Sequence, residues 1–66
     1  MMAAYIYIFT YHGPWSQNSL YFECEANTYT DAVNKLNNHI LTTIGWGIPY
    51  IENVIKKKNK GERQLI

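Results

Sequence analysis

The segment from Ala4 to Tyr11 constrains the fold more than any other part of the sequence. It is rich in Ile, Tyr and Phe, and these residues favour a β-strand. Both of its alternating faces are apolar or aromatic, and they carry Ala4, Ile6 and Ile8 on one side and Tyr5, Tyr7, Phe9 and Tyr11 on the other. A strand that is hydrophobic on both sides usually lies in the middle of its sheet. We therefore expect the first strand to be central.

A loop and a second strand follow. Gly13 and Pro14 break the first strand, and the Ser and Asn residues nearby favour turns, so the sequence predicts a loop over His12–Asn18. The second strand is predicted over Ser19–Ala26. Its two alternating faces carry Leu20, Phe22, Cys24 and Ala26 on one side and Tyr21, Glu23 and Glu25 on the other. This regular alternation is typical of a strand with one face exposed.

A single amphipathic helix is predicted from Thr28 to about Ile44. The Thr28 hydroxyl can accept a free amide proton at the start of the helix, and Asp31 suits its positive end. Apolar residues recur at helical spacing and form one stripe, with Ala32 beside it: Tyr29, Val33, Leu36, Ile40 and Ile44. Gly45 is a natural terminator.

A third strand is predicted over Tyr50–Lys56, after a loop at Gly45–Pro49. Residues 57–61 resemble a turn, and residues 62–66 either add a short fourth strand or fray. The sequence thus predicts one α+β domain over residues 1–66, with element order ββαβ, a three- or four-stranded, mainly antiparallel sheet, and one helix on one face. Strand three should lie beside strand one, on the far side from strand two. We expect the helix to cover the face with Ile6, Ile8, Leu20, Phe22, Ile51 and Ile55.

Composition argues against most chemistry. A chain of 66 residues allows one small core, and the lone Cys24 permits neither an internal disulfide nor a cysteine-rich zinc site. His12 and His39 are not placed together by the predicted fold, and Gly45-x-Gly47 alone is no phosphate loop. We expect no enzyme activity, no cofactor and no metal site. Residues 1–9 lack the pattern of a signal peptide, so we expect a cytoplasmic protein without a membrane segment.

Aromatic residues provide the candidate binding site. If the helix covers the isoleucine face, the other face of the sheet exposes Tyr5, Tyr7, Phe9, Tyr11, Tyr21 and Tyr50. Trp15 and Trp46 lie in loops that the chain direction places at the same end of the fold. Large exposed apolar patches commonly mark interaction sites, and Trp and Tyr are frequent interface residues. The alternative is that the tyrosines reflect strand propensity and that the tryptophans close the core.

A second candidate surface is the basic C-terminal segment, with Lys56, Lys57, Lys58, Lys60 and Arg63. Clustered cations can neutralise phosphates while aromatic residues stack on single-stranded bases. The net charge of +1 falls short of the strongly basic balance of most nucleic-acid-binding domains. A basic end can also simply solubilise an edge strand.

Three short patterns carry a resemblance to known families: Met1-x-Ala3-Ala4-Tyr5-Ile6, then Glu25-Ala26-x-Thr28, then Thr30-Asp31-Ala32. Over residues 1–40 the layout resembles small phage-encoded anti-CRISPR proteins, including a type I-F inhibitor built as an antiparallel sheet with one helix. The helix start after a strand is also similar to that of HicB-type antitoxins, which bind a toxin. The resemblance implies a protein that occupies a surface on a host defence complex.

The functional prediction is therefore a non-enzymatic binding protein, phage or mobile-element encoded, that inhibits a host protein complex, either as a single chain or as a homodimer. A small nucleic-acid-binding protein is the main alternative, and a subunit of a larger assembly is a third.

Overall fold

The computed structural model of the chain describes residues 3–59, which form an α+β fold with the element order ββαβ. The elements are β1 (Tyr5–Gly13), β2 (Ser16–Ala26), α1 (Tyr29–Thr43) and β3 (Tyr50–Lys58). The fold class predicted from the sequence is confirmed. The predicted fourth strand, over residues 62–66, lies outside the described residues.

The sheet has the strand order β2-β1-β3, and both pairings are antiparallel. The prediction that the first strand is central, with the third strand beside it, is confirmed. Because β1 is paired on both sides, it is the central strand of the described sheet. The outer edges of β2 and β3 are the two edges of the described sheet.

The turn between β1 and β2 is much tighter than the sequence suggests. Gly13 pairs with Ser16, so only Pro14 and Trp15 lie between the strands. The predicted loop over 12–18 is therefore wrong at both ends. The pairing shifts register between Tyr11 and Gly13, and this irregularity accommodates extra residues of β2 within the ladder. Polar residues of the predicted loop thus become part of β2.

Helix α1 begins and ends as its sequence predicts. The Thr28 hydroxyl accepts a hydrogen bond from the Asp31 amide at 3.1 Å, which satisfies one of the free donors of the first turn. At the other end, Ile44 caps the helix, and Gly45 follows with a φ of 99°. The side chains of Ala32, Leu36 and Ile40 are buried and form the helix's half of the core.

The helix covers the opposite face of β1 from the one expected. Tyr7, Phe9 and Tyr11 are 3%, 0% and 2% exposed, and they form the core with α1. The prediction that these rings face outward, and that the helix packs on the isoleucine side, is wrong. The reason is the pairing register of β1 with β2, which the tight turn and the register shift beside it set together. It places Cys24, Phe22 and Leu20 opposite the three rings.

The same register explains why the isoleucine face cannot be the core. Ile6 pairs with Glu25, and Ile8 pairs with Glu23, so both glutamates share that face with the isoleucines. Covering this face with α1 would bury two carboxylates, and unpaired buried charges are very costly. Covering the aromatic face instead buries larger apolar side chains and leaves the carboxylates in water.

Strand β3 changes face at Glu52. Thr10 pairs with Asn53 and Tyr11 with Ile51, so Glu52 is an extra residue in the ladder. As a result Ile51 lies opposite buried Tyr11, whereas Ile55 lies opposite Ile8 on the other face. The prediction that Ile51 and Ile55 share the helix-covered face is wrong for Ile55. The strand also runs on to Lys58, past its predicted end at Lys56.

Candidate functional site

Two surfaces of the described fold expose groups that could take part in binding. The first is the side of the sheet that α1 does not cover, which we call the open face. Register pairs across the three strands define its rows: Glu25–Ile6–Lys57, Glu23–Ile8–Ile55 and Tyr21–Thr10–Asn53. Its apolar residues, Ile6, Ile8 and Ile55, have Glu23 and Glu25 of β2 on one side and Lys57 of β3 at one end.

The open face is only partly polar. Tyr21 is 72% exposed and Ile55 is 47% exposed, while Ile6 and Ile8 are half-buried by their neighbours within the sheet. The sequence identified Tyr21 as an exposed residue, and this is confirmed. The isoleucines were missed as surface residues because both faces of β1 are apolar, and only the pairing register distinguishes them.

The second surface is the end of the molecule where the β1–β2 turn meets the α1–β3 loop. No Asp, Glu, Lys or Arg occurs in residues 1–22 or 36–51. The chain folds so that the end built from residues 11–21 and 39–52 contains one such residue among those described, Glu52. We call this surface the uncharged end. The remaining charged residues of the described chain lie towards the opposite end, near the start of β1 and of α1.

Trp15 connects the β1–β2 turn to the α1–β3 loop at the uncharged end. Its indole N–H donates to the Trp46 carbonyl at 2.7 Å, and its ring lies 6.4 Å from the Tyr11 ring in an edge-to-face arrangement. The ring also packs closely against Gly13 and Gly47, where a Cβ at either position would overlap it. The predicted meeting of the two tryptophan loops is confirmed, and Trp15 packs against the core.

The loop that Trp15 holds and the first residue of β3 together expose three large apolar side chains. Trp46 is 58%, Ile48 84% and Tyr50 64% exposed, all within five residues of chain. The Tyr50 ring lies 5.0 Å from the imidazole of His12. The sequence singled out Trp46 and Tyr50. Ile48 was missed, although the long run of uncharged residues around it was a visible signal.

Glu52 lies beside the uncharged end and accepts hydrogen bonds from two strands. Its carboxylate lies 2.5 Å from His12 Nδ1, and the Ser19 hydroxyl donates to both of its oxygens at 3.0 and 3.1 Å. These hydrogen bonds, first from His12 and then from Ser19, hold the pKa of Glu52 below its ordinary value. The carboxylate thus links all three strands of the sheet at one point.

Neither Ser19 nor Cys24 has the surroundings of an activated nucleophile. The Ser19 hydroxyl is directed to the Glu52 carboxylate, and a carboxylate that accepts two hydrogen bonds is a weak base. Burial raises the pKa of the Cys24 thiol, which lowers its thiolate fraction. Within residues 3–59 there is no pocket and no group of three or more potential metal ligands.

The remaining predicted binding residues are separated by the fold. Tyr7, Phe9 and Tyr11 are core residues, and burial raises the pKa of Tyr11. Tyr5 is half-buried, and the Lys56 ammonium lies over its ring at 4.1 Å from the centroid. The aromatic candidates therefore do not form one continuous surface.

The basic residues also divide between faces. Lys56 and Lys58 pair with Tyr7 and Tyr5 and share their side of the sheet, while Lys57 pairs with Ile6 and lies on the open face. Lys60 and Arg63 of the predicted basic segment lie outside the described residues. Strand alternation thus separates Lys57 from its two neighbours.

Comparison of the chain with protein-family models, with curated proteins and with solved structures finds no match. No helix between residues 3 and 59 is long and apolar enough to cross a membrane. The functional interpretation therefore depends on the geometry of the two surfaces.

Proposed function

We propose that this chain acts by stoichiometric binding to another protein, and that the uncharged end makes the contact. The observation that carries the proposal is the clustering of Trp46, Ile48 and Tyr50, all more than half exposed, beside a single charged residue. The cores of protein interfaces are depleted of charged residues and enriched in Trp and Tyr. A cluster of this kind matches the composition of an interface hot spot.

The support beneath this cluster also favours binding. Trp15 joins the two loops through its hydrogen bond to the Trp46 carbonyl and through its contacts with Gly13 and Gly47. A loop that is already held in place loses less conformational entropy when a partner binds. Trp15 thus acts as the support, and Trp46 is the side chain presented to the partner.

The kind of partner follows from the resemblance of residues 1–40 to phage-encoded anti-CRISPR proteins. The partner we propose is a host defence protein complex, which the chain inhibits in the host cytoplasm by covering part of its surface. No catalytic step is needed for this action. The engagement of Ser19 with Glu52 and the raised pKa of the Cys24 thiol are in keeping with a non-enzymatic role.

The binding proposal is tested by affinity capture from a bacterial lysate that contains an active type I-F CRISPR complex, with and without added nuclease. We compare the parent chain with Trp46→Ala, with Ile48→Ser and with Val54→Ser. Val54 is the control, because it is an exposed apolar residue in the middle of β3, outside the uncharged end. Removing a central hot-spot side chain costs about 2 kcal/mol or more, which is roughly a thirtyfold loss of affinity.

The parent chain and Val54→Ser should retain a nuclease-resistant partner that the two loop variants lose. Equal recovery by all four proteins would overturn the role of the uncharged end. Recovery that depends entirely on nucleic acid would favour the alternative function through the basic segment. The inhibitory role is tested separately by phage plating on a host with the active defence system. The parent chain should restore plaques and Trp46→Ala should not, whereas no restoration by the parent would refute this target.

A further inference from the structure

We infer that the open face is a self-association surface, on which a second copy of this chain packs with its strands parallel to those of the first. This surface adjoins the uncharged end at Tyr21 but does not include Trp46 or Ile48, so the inference goes beyond the proposed function. It starts from the rows of the open face. Each row has β2 on one side, β1 in the middle and β3 on the other.

One row of the open face is self-complementary in charge. Glu23 and Glu25 lie on β2, and Lys57 lies on β3 in the same row as Glu25. All three side chains are exposed. Because β1 separates them, Glu25 and Lys57 of one chain are two strand spacings apart, about 10 Å, which is too far for a direct ion pair. Within the described chain neither pairs with the other across the sheet.

A two-fold axis parallel to β1 brings these charges together between copies. Such an axis places β1 over β1, and it places β2 of one copy over β3 of the other at the same height. Glu25 then faces Lys57 of the second copy, and the symmetry makes this ion pair twice. Ile6 and Ile8 meet their own counterparts at the centre. Glu23 lies over Ile55 of the second copy, and because β2 is an edge strand of the described sheet its carboxylate extends outward to water at the rim of the contact. A two-fold axis perpendicular to the strands would instead place the acidic β2 strands over each other, which like charges oppose.

The apolar content of the face suits this arrangement. Ile6, Ile8 and Ile55 form a strip that α1 does not cover, and Tyr21 lies at its border. Two sheets can pack face to face when such strips interdigitate. The face is about 14 Å wide and about 20 Å long, which is small compared with a standard protein interface. We therefore expect a weak, reversible dimer with a dissociation constant in the high micromolar range.

Charge reversal tests the dimer directly. Sedimentation equilibrium at low salt, from low to high micromolar concentration, should show a monomer–dimer equilibrium for the parent chain. Glu25→Lys alone and Lys57→Glu alone each replace two attractive contacts by two repulsive ones. Each should raise the dimer dissociation constant by on the order of tenfold to a hundredfold. Asn34→Ala, an exposed change on α1, should leave it unchanged.

Mixing the two single variants provides the decisive experiment. In a mixed pair, the lysine introduced by Glu25→Lys in one chain faces the glutamate introduced by Lys57→Glu in the other. The unchanged Lys57 of the first chain faces the unchanged Glu25 of the second. Both contacts are attractive, so the mixture should dimerise again although neither variant does so alone.

Two controls distinguish failure of this inference from misfolding of a variant and from failure of the proposed function. Circular dichroism of each variant checks that it is folded. A parent chain that stays monomeric at high micromolar concentration would overturn the inference, as would a mixture that stays monomeric. Trp46→Ala should still dimerise, which separates this outcome from that of the proposed function.

Discussion

Replacing Phe9 with Ala tests which face of the sheet is the core. Phe9 is 0% exposed, and its ring lies 6.4 Å from that of Tyr7 and 6.1 Å from that of Tyr29 on the helix. Removing a fully buried phenylalanine side chain costs about 3–5 kcal/mol. A domain of this size has only about 3–5 kcal/mol of net stability, so Phe9→Ala should be largely unfolded at 25 °C.

The neighbouring residue provides the matched control. Ile8 is half-buried and lies on the open face, so Ile8→Ala removes side-chain atoms that already contact water. Scaling the cost of a fully buried isoleucine by this exposure gives about 1–2 kcal/mol, and the variant should remain folded. Phe9→Leu removes three carbon atoms and should cost about 2 kcal/mol, which keeps the comparison measurable if Phe9→Ala does not fold.

The assay is urea unfolding followed by far-ultraviolet circular dichroism at low micromolar concentration, where self-association contributes least. The order of the free energies of unfolding should be parent, then Ile8→Ala, then Phe9→Leu, with Phe9→Ala lowest. If Ile8→Ala destabilises the protein as much as Phe9→Ala does, the helix does not cover the aromatic face and the reasoning is refuted.

Three other changes test local features. Thr28→Ala removes the hydroxyl that caps α1 and should lower the free energy of unfolding by about 1 kcal/mol, and an unchanged value would contradict the cap. Gly45 and Gly47 both have positive φ, but only a Cβ at Gly47 overlaps Trp15, so Gly47→Ala should be more destabilising in urea than Gly45→Ala. Equal losses would contradict that contact. Because hydrogen bonds lower the pKa of Glu52, its stabilising effect is complete above the ordinary glutamate pKa of about 4.3 and is lost as the pH falls through the lower folded value. Glu52→Gln should therefore flatten the acid side of a plot of melting temperature against pH, and an unaltered acid side would speak against it.

The elements and their order could be predicted from local sequence signals. The helix start at Thr28, its end near Gly45 and the central position of β1 each depend on residues close together in the chain. The face on which the helix packs depends instead on pairing between strands. A change of one residue in register exchanges the two faces of a strand, and β1 is apolar on both.

Two irregularities decided that pairing. The two-residue turn at Pro14-Trp15 and the register shift between Tyr11 and Gly13 together placed Phe22 opposite Phe9. The extra residue Glu52 moved Ile55 to the open face. Glu23 and Glu25 of β2 were the available signal in the sequence, because the face of the sheet that carries these carboxylates should be exposed to water. With the correct pairing of β1 and β2, the glutamates lie beside Ile6 and Ile8, and the other face of β1 is then identified as the core.

For the candidate site, the sequence located part of the uncharged end and misplaced the rest. Trp46 and Tyr50 are exposed as predicted, and the two tryptophan loops do meet. The hydrogen bond from the Trp15 indole to the Trp46 carbonyl was not predictable, since it joins residues 31 positions apart. It is this contact that distinguishes the supporting tryptophan from the exposed one.

Nuclear Overhauser effects in solution test the central structural claim most directly, because every surface assigned above depends on which side of the sheet α1 covers. The ring protons of Phe9 should show effects to Tyr29 and to the methyl groups of Leu36 on α1, and the Ile8 methyl groups should show effects to Ile55 on β3 but none to the helix. Effects between Ile8 and Leu36, with none between Phe9 and α1, would contradict the claim.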